Sequence, residues 1–149
     1  PVTLTRNLAT DFFCDNVRGH SLLFEPSDVQ VARIITKVHS TYGSTVLLRF
    51  SGNITASAKG SWSLEPGKTP NMDELQIRNM DLQVAGRAVY DTRLKQFMQF
   101  DMVLIGTRSG GSPKNLRFGD TETQPIGFLL TRSGPNWYDQ VGPYVVDRL

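Results

Sequence analysis

The residues able to do chemistry in this chain are few and widely spaced. His20 and His39 are its two histidines and Cys14 its single cysteine. Neither histidine sits in a two-histidine helical spacing or a cysteine-containing one, the patterns that bring metal ligands to one side of an element. Asp11, Cys14, Asp15 and His20 would meet only through an arrangement that their spacing does not encode, so no metal site is assigned. Cys14 reads as a small buried side chain rather than a nucleophile. There is no Gly-x-Ser-x-Gly elbow and no cysteine–histidine signature. Glu25, Asp101, Asp120 and Glu122 supply carboxylates, but acid–base chemistry needs two such groups at a fixed distance, which the sequence does not set. No catalytic residue and no cofactor is assigned, and enzymatic activity is not indicated.

Two further features carry potential chemistry. A free N-terminal proline can serve as a catalytic base, but that use needs a β-α-β unit starting at the proline. Val2 to Asp15 is not followed by such a helix, and Pro1 reads as a processing or boundary residue. The stretch from Gly106 to Phe118 carries Arg108, Lys114 and Arg117 with Gly110 and Gly111 and no acid. Backbone amides in a glycine-rich turn beside Arg or Lys can cradle an anion, although the glycine-lysine-hydroxyl order of a nucleotide loop is absent. The plainer reading is a polar hairpin loop. Convergence of Arg132 on the same rim as Arg108 would favour a carboxylate or phosphate site. Asn53-Ile54-Thr55 matches a glycosylation sequon, yet Asn53 also has a turn role.

The elements that would position these groups are β-strands. From Val46 to Trp62 the even positions are Val46, Leu48, Phe50, Gly52, Ile54, Ala56, Ala58, Gly60 and Trp62, and only Leu47 breaks the two-residue alternation. One face is therefore apolar and the other polar. As one straight strand these residues would span about 55 Å, against a radius of gyration of about 15 Å for a domain of this size. A turn or sharp bend is expected at Ser51-Gly52-Asn53 or Gly60. A second unit spans Asp81 to Gly106, with Leu82, Val84, Gly86, Ala88 and Tyr90 facing Met98, Phe100, Met102 and Leu104. Facing even positions require an odd-numbered loop, Asp91-Thr92-Arg93 or a five-residue version reaching Gln96. The longer version sets Arg87 opposite Asp101. Val29 to His39 fits a helical stripe, but its β-branched residues favour a strand joined through Ser40-Thr41-Tyr42-Gly43 to the next. Ser63 to Asn71, rich in Pro and Gly, reads as a surface connection. Short strands are expected around Ile126 to Thr131 and Tyr144 to Val146. Leu104 to Gly110 and Leu129 to Gly134 share a Thr-Arg-Ser-Gly ending, read as two similar strand exits.

These patterns predict an all-β fold, a single antiparallel β-barrel or closely packed β-sandwich with few helical turns, over residues 1–149 as one β domain. With 16 Lys and Arg against 14 Asp and Glu, the formal charge is +2, far from a nucleic-acid binder's usual excess. No apolar run approaches the roughly 20 residues of a membrane helix. The compartment is left open. Small residues (Ala56, Ala58, Gly60, Gly86, Ala88) share the apolar face with Trp62, Met98, Phe100 and Met102. They either interdigitate to normal density or wall a cavity for an apolar or amphipathic small molecule. The second reading predicts a non-enzymatic binding module lined by Val46, Phe50, Ala56, Trp62, Met98, Phe100 and Met102, with Arg108 and Arg132 reading a polar head at the rim. The alternative is a structural or protein-interaction domain acting through its sheet edges or the aromatic tail at Trp137, Tyr138 and Tyr144; an enzyme of unidentified class ranks third, with no catalytic signature to mark it.

Overall fold

A computed structural model describes residues 24–65, 67–111, 119 and 121–136. Among the described residues there are five strands: β1 (Val29–Tyr42), β2 (Thr45–Gly60), β3 (Gln76–Asp91), β4 (Gln96–Ser109) and β5 (Gln124–Thr131). They form one antiparallel sheet in the order β1-β2-β3-β4-β5, and no helix occurs among the described residues. The all-β antiparallel expectation therefore holds, and so does the strand reading of Val29 to His39. Among the described residues the sheet is not closed: β1 and β5 are its two edges. Cys14, His20, Lys114, Arg117, Asp120, the aromatic tail and the strand expected at Tyr144 to Val146 lie outside the described residues.

The even-numbered positions of β2, of β3 and of β4 from Phe100 onward line one face, as the alternation predicts. The ladder between β2 and β3 is unbroken from Thr45 opposite Asp91 to Gly60 opposite Gln76. No turn interrupts β2, contrary to the expectation at Ser51-Gly52-Asn53. A domain-average radius limits the typical distance from the centre, not the longest strand, so a 16-residue strand is compatible with it. Glycine here serves close approach instead. A Cβ on Gly52 would collide with the carbonyl oxygen of Arg33 in β1, and one on Gly106 with that of Asp81 in β3.

Two-residue periodicity survives only because the sheet corrects its own slips. The turn between β1 and β2 holds just Gly43 and Ser44, with Gly43 at φ 58°, the first central position of a type II′ hairpin turn. The β3–β4 connection pairs Asp91 with Gln96 across the four residues Thr92 to Lys95, which on its own would put odd residues opposite even ones. A bulge restores parity: Tyr90 pairs with Phe97, the register shifts past Met98, and Val89 pairs with Gln99. Arg87 consequently faces Asp101, as expected, with Nε 3.4 Å from Oδ2. The pair is largely exposed and contributes roughly 0.2–1 kcal/mol. Two further slips lie in β1: one at His39 restores even-to-even pairing after the two-residue turn, so that Val38 faces Leu48, and one around Gln30 lets the odd-numbered Val29 join the even face opposite Ala56.

The core lies on that even face. Ile54, Leu82 and Leu104 are sealed from solvent, surrounded by Phe24, Val29, Met80, Val84, Met102 and Ile126. Each such side chain contributes about 1.5–3 kcal/mol through its burial. The three-strand packing at Gly106 predicts a test. Gly106→Ala is expected to destabilise the protein by about 2–4 kcal/mol in denaturant unfolding. Gly127→Ala in β5 should be near neutral, because its added Cβ meets the Leu104 carbonyl oxygen at an ordinary 3.6 Å. Equal effects of the two substitutions would show that sheet packing at Gly106 is not tight.

Candidate functional site

Along the even face the strands run from a sealed end to an open one. At the sealed end Ala56 lies opposite Met80, Met80 opposite Arg108, and Arg108 opposite Gln124. At the other end Val46 faces Tyr90 and Tyr90 faces Phe97; Leu48 faces Ala88 and Ala88 faces Phe100; Phe50 faces Gly86 and Gly86 faces Met102. Ala56 and Leu48 are eight residue steps apart along β2, a distance of about 26 Å. The nine residues expected to line one site are thus divided. Val46, Phe50 and Phe100 gather at the open end with Met98 and Arg132 beside them, Met102 lies opposite Gly86 but is already buried in the core, and Ala56, Arg108 and Trp62 belong to the sealed end.

Arg108 departs most from its expected setting. Gly106 to Ser109 are still part of β4 rather than a loop, and even parity turns Arg108 into the core, where it is 4% exposed. Arg78 is also buried, its guanidinium carbon 4.3 Å from the centre of the Phe24 ring. That geometry is a cation–π contact, and both arginines have further interactions. Arg132 lies elsewhere. Its backbone N–H donates to the Phe100 carbonyl at 2.9 Å, and its Nη1 donates to the Met98 carbonyl at 3.3 Å. Arg108 and Arg132 do not converge, because neighbouring antiparallel strands carry their similar Thr-Arg-Ser-Gly endings to opposite ends of the sheet. Trp62 lies past the end of β2, its indole N–H donating to the Gly111 carbonyl at 2.9 Å.

The open end has an aromatic floor. Phe50 and Phe100 are 5.3 Å apart between ring centres, Phe100 and Phe97 5.7 Å, and Phe97 and Tyr90 5.1 Å, the last two pairs edge to face. These are favourable offsets for aromatic quadrupoles. Phe50 also occupies the space that a side chain at Gly86 would need: a Cβ there would come within 3.1 Å of Phe50 Cδ2. Small and large residues therefore interdigitate at this point. Toward the rim the apolar face remains partly in water, with Phe97 39% exposed and Val38 64%. Phe97 has no place in the expected set. The sequence put Met98 in the facing position, and only the bulge transfers that role to Phe97.

The same end is held by the two turns. Ser44 Oγ donates to Asp91 Oδ2 at 3.1 Å, and the Ser44 carbonyl accepts from both the N–H and the hydroxyl of Thr92, at 2.8 and 3.0 Å. Asp91 Oδ1 accepts the N–H groups of Arg93 and Leu94 at 2.8 and 2.9 Å. The Leu94 N–H above all, with the Arg93 N–H, the Ser44 hydroxyl and the Arg93 charge, holds the Asp91 carboxyl below its ordinary range against a smaller opposing effect of desolvation.

The opposite, odd-numbered face holds what the sequence reading missed. Ala85, Val103 and Leu129 lie side by side on β3, β4 and β5, with Ile105 next to them, and Leu129 is 67% and Ile105 62% exposed. The signal was present in the runs Met102-Val103-Leu104-Ile105 and Phe128-Leu129-Leu130, where alternation stops and both faces become apolar. Two hollows on this face share Arg49 and Arg87. No group of His, Cys, Asp and Glu suited to a metal ion occurs among the described residues, and no described helix is long and apolar enough to cross a membrane.

Fold and site together define an antiparallel meander sheet with a sealed apolar end, an open aromatic end and a mixed cationic and apolar outer face. The chain matches no protein-family model, no curated protein and no solved structure.

The Asp91 cluster predicts a pH dependence. A carboxyl held below its unfolded value stabilises the fold above that value, about 3.9, and the contribution is lost as pH falls through the lower folded one. Asp91→Asn should therefore unfold at a lower temperature than the parent at pH 7, and the difference should narrow below pH 4. A pH-independent difference would mean that the carboxylate charge contributes nothing.

Proposed function

We propose that the protein is a non-enzymatic binding module for a small apolar or amphipathic molecule, seated at the open end of the even-numbered face. The observation that carries this reading is the half-exposed aromatic cluster of Phe50, Phe97, Phe100 and Tyr90 with Arg132 bonded to the backbone at its edge. An apolar body would lie over Val46, Phe50, Phe97 and Phe100, where it removes from water a surface that the protein's own core leaves partly wet, Met102 being already buried in that core. Met98 offers a flexible thioether that adapts to ligand shape. Arg132 would pair with an anionic head, since a guanidinium matches a carboxylate in two-point geometry. Ala56, Trp62 and Arg108 would support the fold of the sealed end rather than touch the ligand. The reading carries the finer architecture with it: a sheet whose apolar face is closed over as a tightly packed sandwich or a barrel.

Supporting a second reading, a protein-interaction domain acting through its sheet edge, is β1. Among the described residues this strand pairs only with β2, and residues 36–42 are exposed on both faces. Such an edge can accept another strand.

Dodecanoate titrated against the protein, followed by calorimetry, tests the first reading. Saturable one-to-one binding is expected, weakened about tenfold by Arg132→Ala and by Phe97→Ala. Native mass spectrometry of source-purified protein should show an adduct of a few hundred daltons that is lost on denaturation. Absence of saturable binding together with a clean monomer mass would sink this reading. A discrete homo-oligomer, with no adduct, would favour the sheet edge.

A further inference from the structure

We propose that the odd-numbered face around Arg49 and Arg87 is a docking surface for an acidic peptide segment of a partner protein, one in which a carboxylate is flanked by apolar side chains. Cross-strand register places Lys37 opposite Arg49, Arg49 opposite Arg87, and Arg87 opposite Asp101. Three cations thus stand in one row on adjacent strands with a single carboxylate at its end. Asp101 is already engaged, its Oδ2 lying 3.4 Å from Arg87 Nε and accepting from Gln99 Nε2 at 2.6 Å. Arg49 Nη2 is 3.4 Å from His39 Nε2, a contact in which the guanidinium donates. Among the described residues, no carboxylate lies within 4.0 Å of the charged groups of Lys37 or Arg49. Like charges directly opposite in a sheet are destabilising, so this row favours an anion that the described residues do not themselves supply.

The surroundings select the kind of anion. On one side of the cationic row Leu47 and Val89 face each other and help line a hollow of about 320 Å³ that includes Arg49 and Arg87. On the other side Ala85, Val103 and Leu129 form the exposed apolar row. Apolar, cationic and apolar rows follow one another every two residues, a repeat of about 6.6–6.8 Å along the strands. An extended peptide presents its alternate side chains at the same repeat. Apolar, acidic and apolar side chains at i−2, i and i+2 would therefore meet the three rows in order. A free inorganic anion would use the cations and leave the apolar rows in water. A contiguous exposed apolar patch beside complementary charge is characteristic of a protein-binding surface.

The test uses the full chain and the peptide Ser-Leu-Thr-Glu-Thr-Leu-Ser, with Gln replacing Glu in a control peptide, followed by amide chemical shifts. The Glu peptide is expected to give saturable shifts at residues 47, 49, 87, 103 and 129, and the Gln peptide to bind at least about tenfold more weakly. Binding should weaken as salt rises. Arg49→Glu separates docking from folding, because it sets an acid between Lys37 and Arg87. This variant should unfold at a higher temperature than the parent and bind the Glu peptide at least about tenfold more weakly. Leu129→Ser, at an exposed position, should weaken binding with little change in unfolding temperature. The proposal is overturned by equal binding of the two peptides, by shifts on the even-numbered face, or by no saturation up to several millimolar. It is equally overturned if inorganic phosphate reproduces the same shifts, or if the face shows concentration-dependent shifts without peptide, which would assign it to a second copy of this chain.

Discussion

Each side chain in the sheet is assigned to a face by a repeat of two residues, and the packing of the described residues depends on that repeat staying in phase over strands of up to 16 residues. A single uncorrected slip would carry Leu82 and Leu104, now fully enclosed, into water, and bring Gln83 and Ile105 into the core. The β3–β4 turn introduces such a slip, since four loop residues oppose odd to even. The bulge at Met98 removes it within three residues. The bulge is therefore a condition for the core as well as a local irregularity, and it moves Phe97 into the aromatic cluster.

Phase alone does not decide how the two faces differ. Even-face residues pass from full enclosure at Ile54, Leu82 and Leu104 to partial exposure at Phe50, Phe100 and Phe97. Binding requires surface that folding has not already removed from water, and on that face the open end keeps such surface. The glycines work in the other direction. Gly52, Gly86 and Gly106 let strand backbones approach too closely for any side chain, and Phe50 packs over Gly86 as well. Small residues on the inner face at these points are consequences of packing rather than signs of a cavity.

The outer face shows a related tension. Its β2 portion is polar apart from Leu47, but its β4 and β5 portions carry Val103, Ile105 and Leu129 toward solvent. The cationic row crosses next to them. Neither feature improves the stability of the isolated sheet: exposed apolar area gains nothing from folding, and adjacent cations repel. Their combination on one face, on opposite sides of the sheet from the aromatic cluster, gives the molecule two surfaces of different chemistry.

Strand identity, the inward set of even residues and the Arg87–Asp101 pairing were legible in the sequence, because alternation and parity are properties of local order. Val29 to His39 was resolvable as a strand from its β-branched side chains, since a helix would crowd them. The location of the candidate site was not legible. Arg108 and Arg132 carry the same local sequence, yet one is sealed in the core and the other borders Phe100, because antiparallel neighbours run in opposite directions and parity sets each side chain's face. Phe97 was hidden because a bulge is chosen by the fit between a turn and the ladder beyond it, not by the residues it displaces. The sequence by itself determined which residues prefer water and with what period. The tertiary structure decided which strands lie side by side, and so which distant residues share a row. That choice depends on registers and close approaches between segments far apart in the chain, for which a linear pattern holds no term.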